Sequence, residues 1–236
     1  GVKNPKWSVH RALTLEKRLG FLLERMRSKH RSWVKRKEKE LSQAFSAKVK
    51  WSWHSNAIDV TSICTKMEEV AKTTYQRGLG VGFADNDETR KRFSLFAERN
   101  QLRVMLLELD GEPTCFWYGV VYKSTFHASA TGYRPDMARY EMGTLALLKM
   151  VDYLIAEGTK KIDFGLGDAY YKERFSDISW KEASVHVFSD TVRGMMLRDY
   201  LRGMSWVDQR VRSLVEKAKL SEKIKKLWRR KVSQEA

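Results

Sequence analysis

"KKIDFGLGDAYYKERFSD", residues 160–177, is the stretch on which the reading of the chain turns. The apolar pulse Ile162-Asp163-Phe164 reads as a short strand. It breaks into Gly165 and Gly167, and Asp168, Tyr170, Tyr171, Lys172 and Arg174 follow at once. A phosphate loop, an acyl-transfer site and a plain surface turn all fit that order of residues. The segments on either side narrow the choice.

Upstream, Gly143 opens a helix in which Leu147, Leu148, Val151, Leu154 and Ile155 line one side, and Gly158 ends it. Before it runs a meander. "LRVMLLEL" (102–109), "TCFWYGVVY" (114–122) and "TFHASATGY" (125–133) are strands joined by "DGEP" and a tight Lys123-Ser124 connection. "AKVKWSWH" alternates Val49, Trp51 and Trp53 against polar residues, a half-buried strand. Residues 60–77 and about 87–99 read as helices, 12–45 as one or two more, and "EASVHVFS" (182–189) as a further strand. Gly78-x-Gly80-x-Gly82 fits neither the dinucleotide nor the P-loop spacing and reads as a structural loop. The order of elements is that of an α+β fold: a mixed, mainly antiparallel sheet with flanking helices.

The 236 residues, 42% hydrophobic and 11% aromatic, suffice for a real core. No run approaches the roughly 18 apolar residues that span a bilayer. Cys64 and Cys115 have no metal-like spacing and read as buried thiols of a reducing compartment. The net charge of +16 sits at the ends. Residues 1–50 carry 15 Lys/Arg against 4 Asp/Glu, residues 191–236 carry 13 against 5, and the middle carries 17 against 20. The expected organisation is a basic helical linker (1–45), a near-neutral domain (46–190) and basic C-terminal helices (191–236). In the last, Leu220, Ile224, Leu227 and Trp228 form an apolar stripe. Such flanks face something anionic: a membrane surface, a phosphorylated substrate or RNA.

"YEMGTLALLKMVDYLIAEGTKKIDFGLGDAYYKERF" together with this order of elements resembles the GNAT-fold acyltransferases, most closely the acetyltransferases of cellulose and exopolysaccharide biosynthesis. Gly143, Asp163, Phe164, Gly165, Gly167, Asp168, Tyr171 and Lys172 carry the resemblance, which spans roughly residues 13–190. The FemABX aminoacyltransferases are more distant relatives of the fold. The resemblance implies an acyl-CoA, such as acetyl-CoA, as co-substrate, no metal, and a saccharide or cell-envelope acceptor. It implies a cytoplasmic protein, peripheral at the inner membrane if the basic flanks bind lipid. Family members carry another GNAT-like half upstream, so a missing N-terminal half or a protein partner is also expected. The general pyrophosphate loop of the fold, with two glycines, is reduced here to Arg139-Tyr140-Glu141-Met142-Gly143-Thr144.

Acyl transfer from a thioester needs a base for the acceptor, donors for the oxyanion, a proton for the leaving thiolate and a cradle for the donor's phosphates. A helix head with free amides is such a cradle, which points to Met142, Gly143 and Thr144 with Arg139 adding charge. Tyr171 suits protonation of the thiolate, Lys172 stabilisation of an oxyanion or phosphate, and Asp168 either a base or a turn cap. His127 shares strand parity with Ser129 and Thr131 and is a candidate base if that face lines the cleft, although a strand histidine is more often structural. Glu141 is a further base candidate, and Asp163 reads as structural, bonded to nearby amides. Two other functions fit the same residues: an aminoacyl-tRNA-dependent transferase, and a non-catalytic binding or scaffold module.

Overall fold

The computed structural model describes residues 7–55, 59–78, 80–167, 169–183 and 185–217. In chain order the elements are β1 (Trp7–Thr14), α1 (Phe21–Arg25), α2 (Ser28–Phe45), β2 (Val49–His54), α3 (Val60–Lys72), α4 (Tyr75–Gly78), α5 (Asp87–Glu98), β3 (Leu102–Leu109), β4 (Glu112–Tyr122), β5 (Thr125–Tyr133), α6 (Met142–Ala156), β6 (Lys161–Leu166), α7 (Tyr170–Phe175), β7 (Ile178–Ala183) and α8 (Val192–Lys217). Residues 8–181 form one compact unit, and α8 belongs to a second.

One sheet runs in the order β2-β3-β4-β5-β6-β1-β7. The β2–β3, β3–β4, β4–β5 and β1–β6 pairs are antiparallel, and β5–β6 is parallel. The meander closes through Asp110-Gly111, both at positive φ (54° and 87°), the backbone a two-residue hairpin turn demands. A parallel return needs a crossover, and α6 supplies it between β5 and β6. The helix starts follow side chains that accept amide protons. Asp59 accepts from Ser62 (3.1 Å) ahead of α3, and Asn86 accepts from Thr89 (2.9 Å) ahead of α5.

Both faces of the sheet are covered. Met105, Leu107, Leu109, Trp117, Phe126, Ile162 and Phe164 pack with α1, α2 and α6. On the other face Leu102, Val104, Leu106 and Phe116 pack with Ile63, Met67 and Val70 of α3 and Phe93 of α5. β3 is therefore buried on both sides over its whole length. Its one buried carboxylate, Glu108, is neutralised by Lys66 (2.6 Å) and Lys50 (3.3 Å).

Two expectations are corrected. Residues 7–14, assigned to a basic helical linker, form a strand that pairs with β6, and residues 8–45 lie within the same compact unit as the rest of the sheet. Their alternation is interrupted by Arg11, which stands at the position where Trp7, Val9 and Leu13 set an apolar face. The final strand is Ile178–Ala183, and residues 185–189 have no regular structure although "VHVF" alternates. The stripe Leu220, Ile224, Leu227 and Trp228 lies outside the described residues, as does Asp168.

Candidate active site

The parallel strands separate at one point. β5 and β6 pair through Thr125↔Lys161, Phe126↔Ile162 and His127↔Asp163. Beyond that rung β5 continues to Tyr133 along β4, while Gly165 and Leu166 turn to Arg11 and His10 of β1. A gap opens between the two strands and widens toward their C-terminal ends, the edge where sheets of this kind take ligands. Both strands bend at bulges here. On β5, Tyr118↔Ala130 and Gly119↔Ala128 leave Ser129 without an opposite residue. On β6, Phe164 is the extra residue, and Gly165 takes the left-handed conformation (φ 71°) that the bulge needs. Gly167 (φ 106°) completes the release of the chain from the strand.

The β5 bulge changes the face on which each side chain stands. Cross-strand partners share a face. His127 is opposite Val120, and Thr131 is opposite Trp117. Trp117 lies in the α6-side core, as does Val121 beside Val120 on the same strand, so Val120 and His127 face the other way. His127 and Thr131, grouped by period two in the sequence, are thus on opposite faces.

On the His127 face stands Asp163. Its Oδ1 lies 2.5 Å from His10 Nε2 and accepts the Gly165 amide proton (2.7 Å), while Oδ2 lies 3.4 Å from His127 Nδ1. Burial pushes the carboxyl pKa up. The hydrogen bonds from His10 and Gly165 outweigh it and hold the group below the usual carboxylate range. Asp163 does bond a nearby amide as expected. Its pairing with two imidazoles is new, and His10 is absent from the sequence-derived set.

The head of α6 faces the wide end of the gap. Tyr133, at the end of β5, is the side chain beside Gly143, and the Trp117 indole donates to the Gly143 carbonyl (3.2 Å). Glu141 enters the helix from the left-handed region (φ 56°), and its carbonyl accepts the Thr144 amide (2.9 Å). That bond takes Thr144 out of the set of amides open to an anion, and Met142 and Gly143 head the helix. The Met142 side chain itself is buried in the core. Arg139 is exposed, stacks over the Tyr140 ring (4.6 Å) and donates to its hydroxyl (2.7 Å).

α7 forms the opposite wall. Tyr171 meets Trp117 edge-on (5.5 Å) and Phe164 (6.0 Å), so Trp117 links the α6 head to α7. Tyr170 is 75% exposed. Lys172 donates to the Leu166 carbonyl (2.7 Å). Burial lowers its pKa, and the negative charge of Asp163 partly restores it. The structure thus brings His127 and Asp163 together at the narrow end of the gap, with Lys172 at the Leu166 end of β6, within reach of the Asp163 charge, and Gly143 and Met142 at the head of α6. Cys64 and Cys115 are both buried free thiols. Burial pushes the Cys64 thiol up to about 11 and Cys115 up as well, so neither is a nucleophile at neutral pH.

Solved structures share the fold of this chain. FemX has a similar fold, with a TM-score of 0.52 at 11% identity over 75% of this chain and 60% of that one. The chain thus spans about 60% of the length of the FemX chain it matches. Weaker likenesses are to L-PGS from Bacillus licheniformis (TM-score 0.46, 10% identity, 81% of this chain and 65% of that one) and to an aminoglycoside acetyltransferase from an uncultured soil metagenomic sample (0.42, 11%, 63% and 99%). No curated protein sequence matches. The family model for the acetyltransferase (GNAT) domain matches residues 28–173, which include α6, the splayed strands and most of α7, and the chain belongs to that family.

Proposed function

We propose that the chain is an acyltransferase that moves an acyl group from acyl-CoA directly to an amine or hydroxyl of a saccharide or cell-envelope precursor, as in the acetyltransferases of exopolysaccharide biosynthesis. The observation that supports this most is the parting of β5 and β6 after His127 and Asp163, with the head of α6 over the wide end. A helix head suits the donor's phosphates, since its first amides lack intrahelical acceptors and its dipole favours an anion. Met142 and Gly143 supply those amides. The gap then admits the extended arm of the thioester to the face that carries His127. There the acceptor heteroatom bonds to the acyl carbon and the carbon–sulfur bond breaks, with its electron pair on sulfur. His127 receives the acceptor's proton, and the Lys172 ammonium stabilises the developing charge. No covalent enzyme intermediate is required. Trp117 and Tyr171 hold the two walls together, with Arg139 at the rim.

The basic α8 gives the enzyme an anionic partner. Residues 192–217 of α8 carry 6 Lys/Arg against 3 Asp/Glu, and residues 191–236 as a whole carry 13 against 5, which suits a lipid surface where such acceptors are assembled. Among the described residues no helix is long and apolar enough to cross a membrane.

The test is a thermal-shift titration of acetyl-CoA, followed by thiol release in the presence of glucosamine. Protection by acetyl-CoA with amine-dependent thiol release supports the reading. Tight, salt-sensitive binding of tRNA without any response to acetyl-CoA would replace it by an aminoacyl-tRNA-dependent transferase.

A further inference from the structure

One carboxylate holds two imidazoles that arrive from opposite sides. Asp163 stands on β6, His10 on the neighbouring β1 and His127 on the neighbouring β5. His10 Nε2 and the Gly165 amide both address Oδ1, and His127 Nδ1 addresses Oδ2. The ring of His10 is itself fixed by Trp180 of β7, stacked at 4.2 Å and 13°. Exposure is graded along the array: the side chains of His10 and Asp163 are 13% and 15% exposed, that of His127 49%. The outermost member is thus the one an acceptor can reach.

We propose that His10, Asp163 and His127 form one catalytic assembly, in which His10 and Asp163 are positioning residues and His127 is the group that takes the acceptor's proton. The proposal rests on the acyl-transfer reading above. A neutral imidazole accepts a proton at one nitrogen only while the other holds its hydrogen. A carboxylate facing Nδ1 selects the Nδ1–H tautomer and leaves the Nε2 lone pair for the acceptor, the same division of labour as in an Asp–His pair beside a nucleophile. A lone aspartate is free to swing about its χ angles. His10 and the Gly165 amide pin Oδ1, so Oδ2 stays aimed at His127. The 3.4 Å separation tightens when the imidazole turns toward a bound acceptor. In the step itself, the acceptor's proton passes to His127 Nε2, and the Nδ1 proton stays on His127. The acceptor's lone pair forms the bond to the acyl carbon, and the C–S pair leaves with sulfur. The imidazolium so formed faces the Asp163 carboxylate, which stabilises it.

The measurement is long-range 15N–1H NMR of the imidazole rings in the whole chain, at a pH where they are neutral, paired with steady-state transfer from acetyl-CoA to glucosamine. The expected wild-type result is the Nδ1–H tautomer at His127. His10→Ala and Asp163→Asn should each lose that preference and lower kcat roughly 10–100-fold, with KM for acetyl-CoA within about twofold. His10→Gln, whose amide N–H reaches the same Oδ1, should recover the tautomer and most of the rate. A His127 Nε2–H tautomer in the wild type, or a tautomer unchanged in both His10→Ala and Asp163→Asn, overturns the positioning role. Full turnover in His127→Ala overturns the base. The expected tautomer pattern with no turnover of acetyl-CoA sinks the acyl-transfer reading and the base with it, while the positioning of His127 by Asp163 and His10 stands.

Discussion

His127 and Asp163 form the last rung between the parallel strands β5 and β6, and their side chains meet at 3.4 Å where the strands begin to part. The residue pair that ends the backbone ladder is thus also a pair of ionisable groups. The end of the β5–β6 ladder and the approach of the carboxylate to the imidazole are fixed by the same rung.

The head of α6 can be altered without harming the fold. A Cβ at Gly143 meets only the Tyr133 ring, at 3.7–3.9 Å, which is ordinary contact. Gly143→Asp places a carboxylate in the first turn of a helix, where the dipole favours it by about 0.3–1 kcal/mol. The variant should therefore melt at or slightly above the wild-type temperature without ligand. With acetyl-CoA its thermal protection should vanish, because the carboxylate occupies the site of a phosphate. Equal protection in both proteins removes the α6 head from donor binding.

Gly119 has no such latitude. A Cβ there would lie 2.3 Å from the His127 carbonyl oxygen and 2.5 Å from the Phe126 ring, at the β5 bulge. The backbone oxygen cannot move aside without opening the rung that holds His127. Gly119→Ala should cost about 2–3 kcal/mol, or a fall in Tm of roughly 5–10 °C by calorimetry. A loss under half a degree means that the bulge relaxes freely.

Asp163 gives stability a pH dependence of known sign. Its carboxyl is held below the usual value in the folded chain, so its contribution is present above that value and lost as pH falls through the folded one. The groups that face it are His10, His127, the Gly165 amide and, through its charge, Lys172. Urea unfolding should show Asp163→Asn less stable than wild type at pH 6. The gap should narrow steadily below about pH 4. A gap that is constant from pH 6 to pH 2.5 contradicts a depressed carboxyl.

Much of this was legible in the sequence, and the failures share a cause. The meander, the crossover helix and the strand at "KKIDF" follow from apolar periodicity and glycine stops and lie as expected, except that the strand continues past Phe164 through Gly165 to Leu166. His10 was hidden because Arg11 interrupts the alternation of Trp7, Val9 and Leu13 with Ser8, His10 and Ala12, so residues 7–14 do not stand out from the basic run around them. His127 was assigned the wrong companions because the β5 bulge shifts parity between Ala128 and Ala130. "VHVF" alternates but takes no place in a sheet, since alternation records amphipathicity and not the presence of a partner strand. Two of the sheet's register shifts lie beside the candidate site, so period-two reasoning loses His127 there.

The α8 helix leads to a prediction about location. Met196, Leu197, Tyr200, Met204, Val207 and Val211 are all exposed. At 100° per residue they fall within a sector of about 100°, with Arg193 at its head. Arg198, Arg202 and Arg210 lie outside that sector. An apolar stripe flanked by arginines is the pattern of a helix lying in a lipid interface, where each basic side chain adds about 1 kcal/mol on an anionic leaflet. Vesicles of phosphatidylcholine with 30% phosphatidylglycerol, a fraction of about one anionic lipid in three, should therefore co-sediment with the chain at low salt. Binding should weaken at least tenfold in phosphatidylcholine alone or in about 0.5 M salt, through screening of the basic groups. Leu197→Glu combined with Met204→Glu removes the apolar anchor and leaves the arginines in place, so it separates insertion from charge attraction. Loss of vesicle binding in that double variant supports an interfacial helix. Retained binding in the variant means that charge alone acts. Salt-sensitive binding of tRNA that ignores both substitutions, with no vesicle binding, assigns the basic helix to nucleic acid instead.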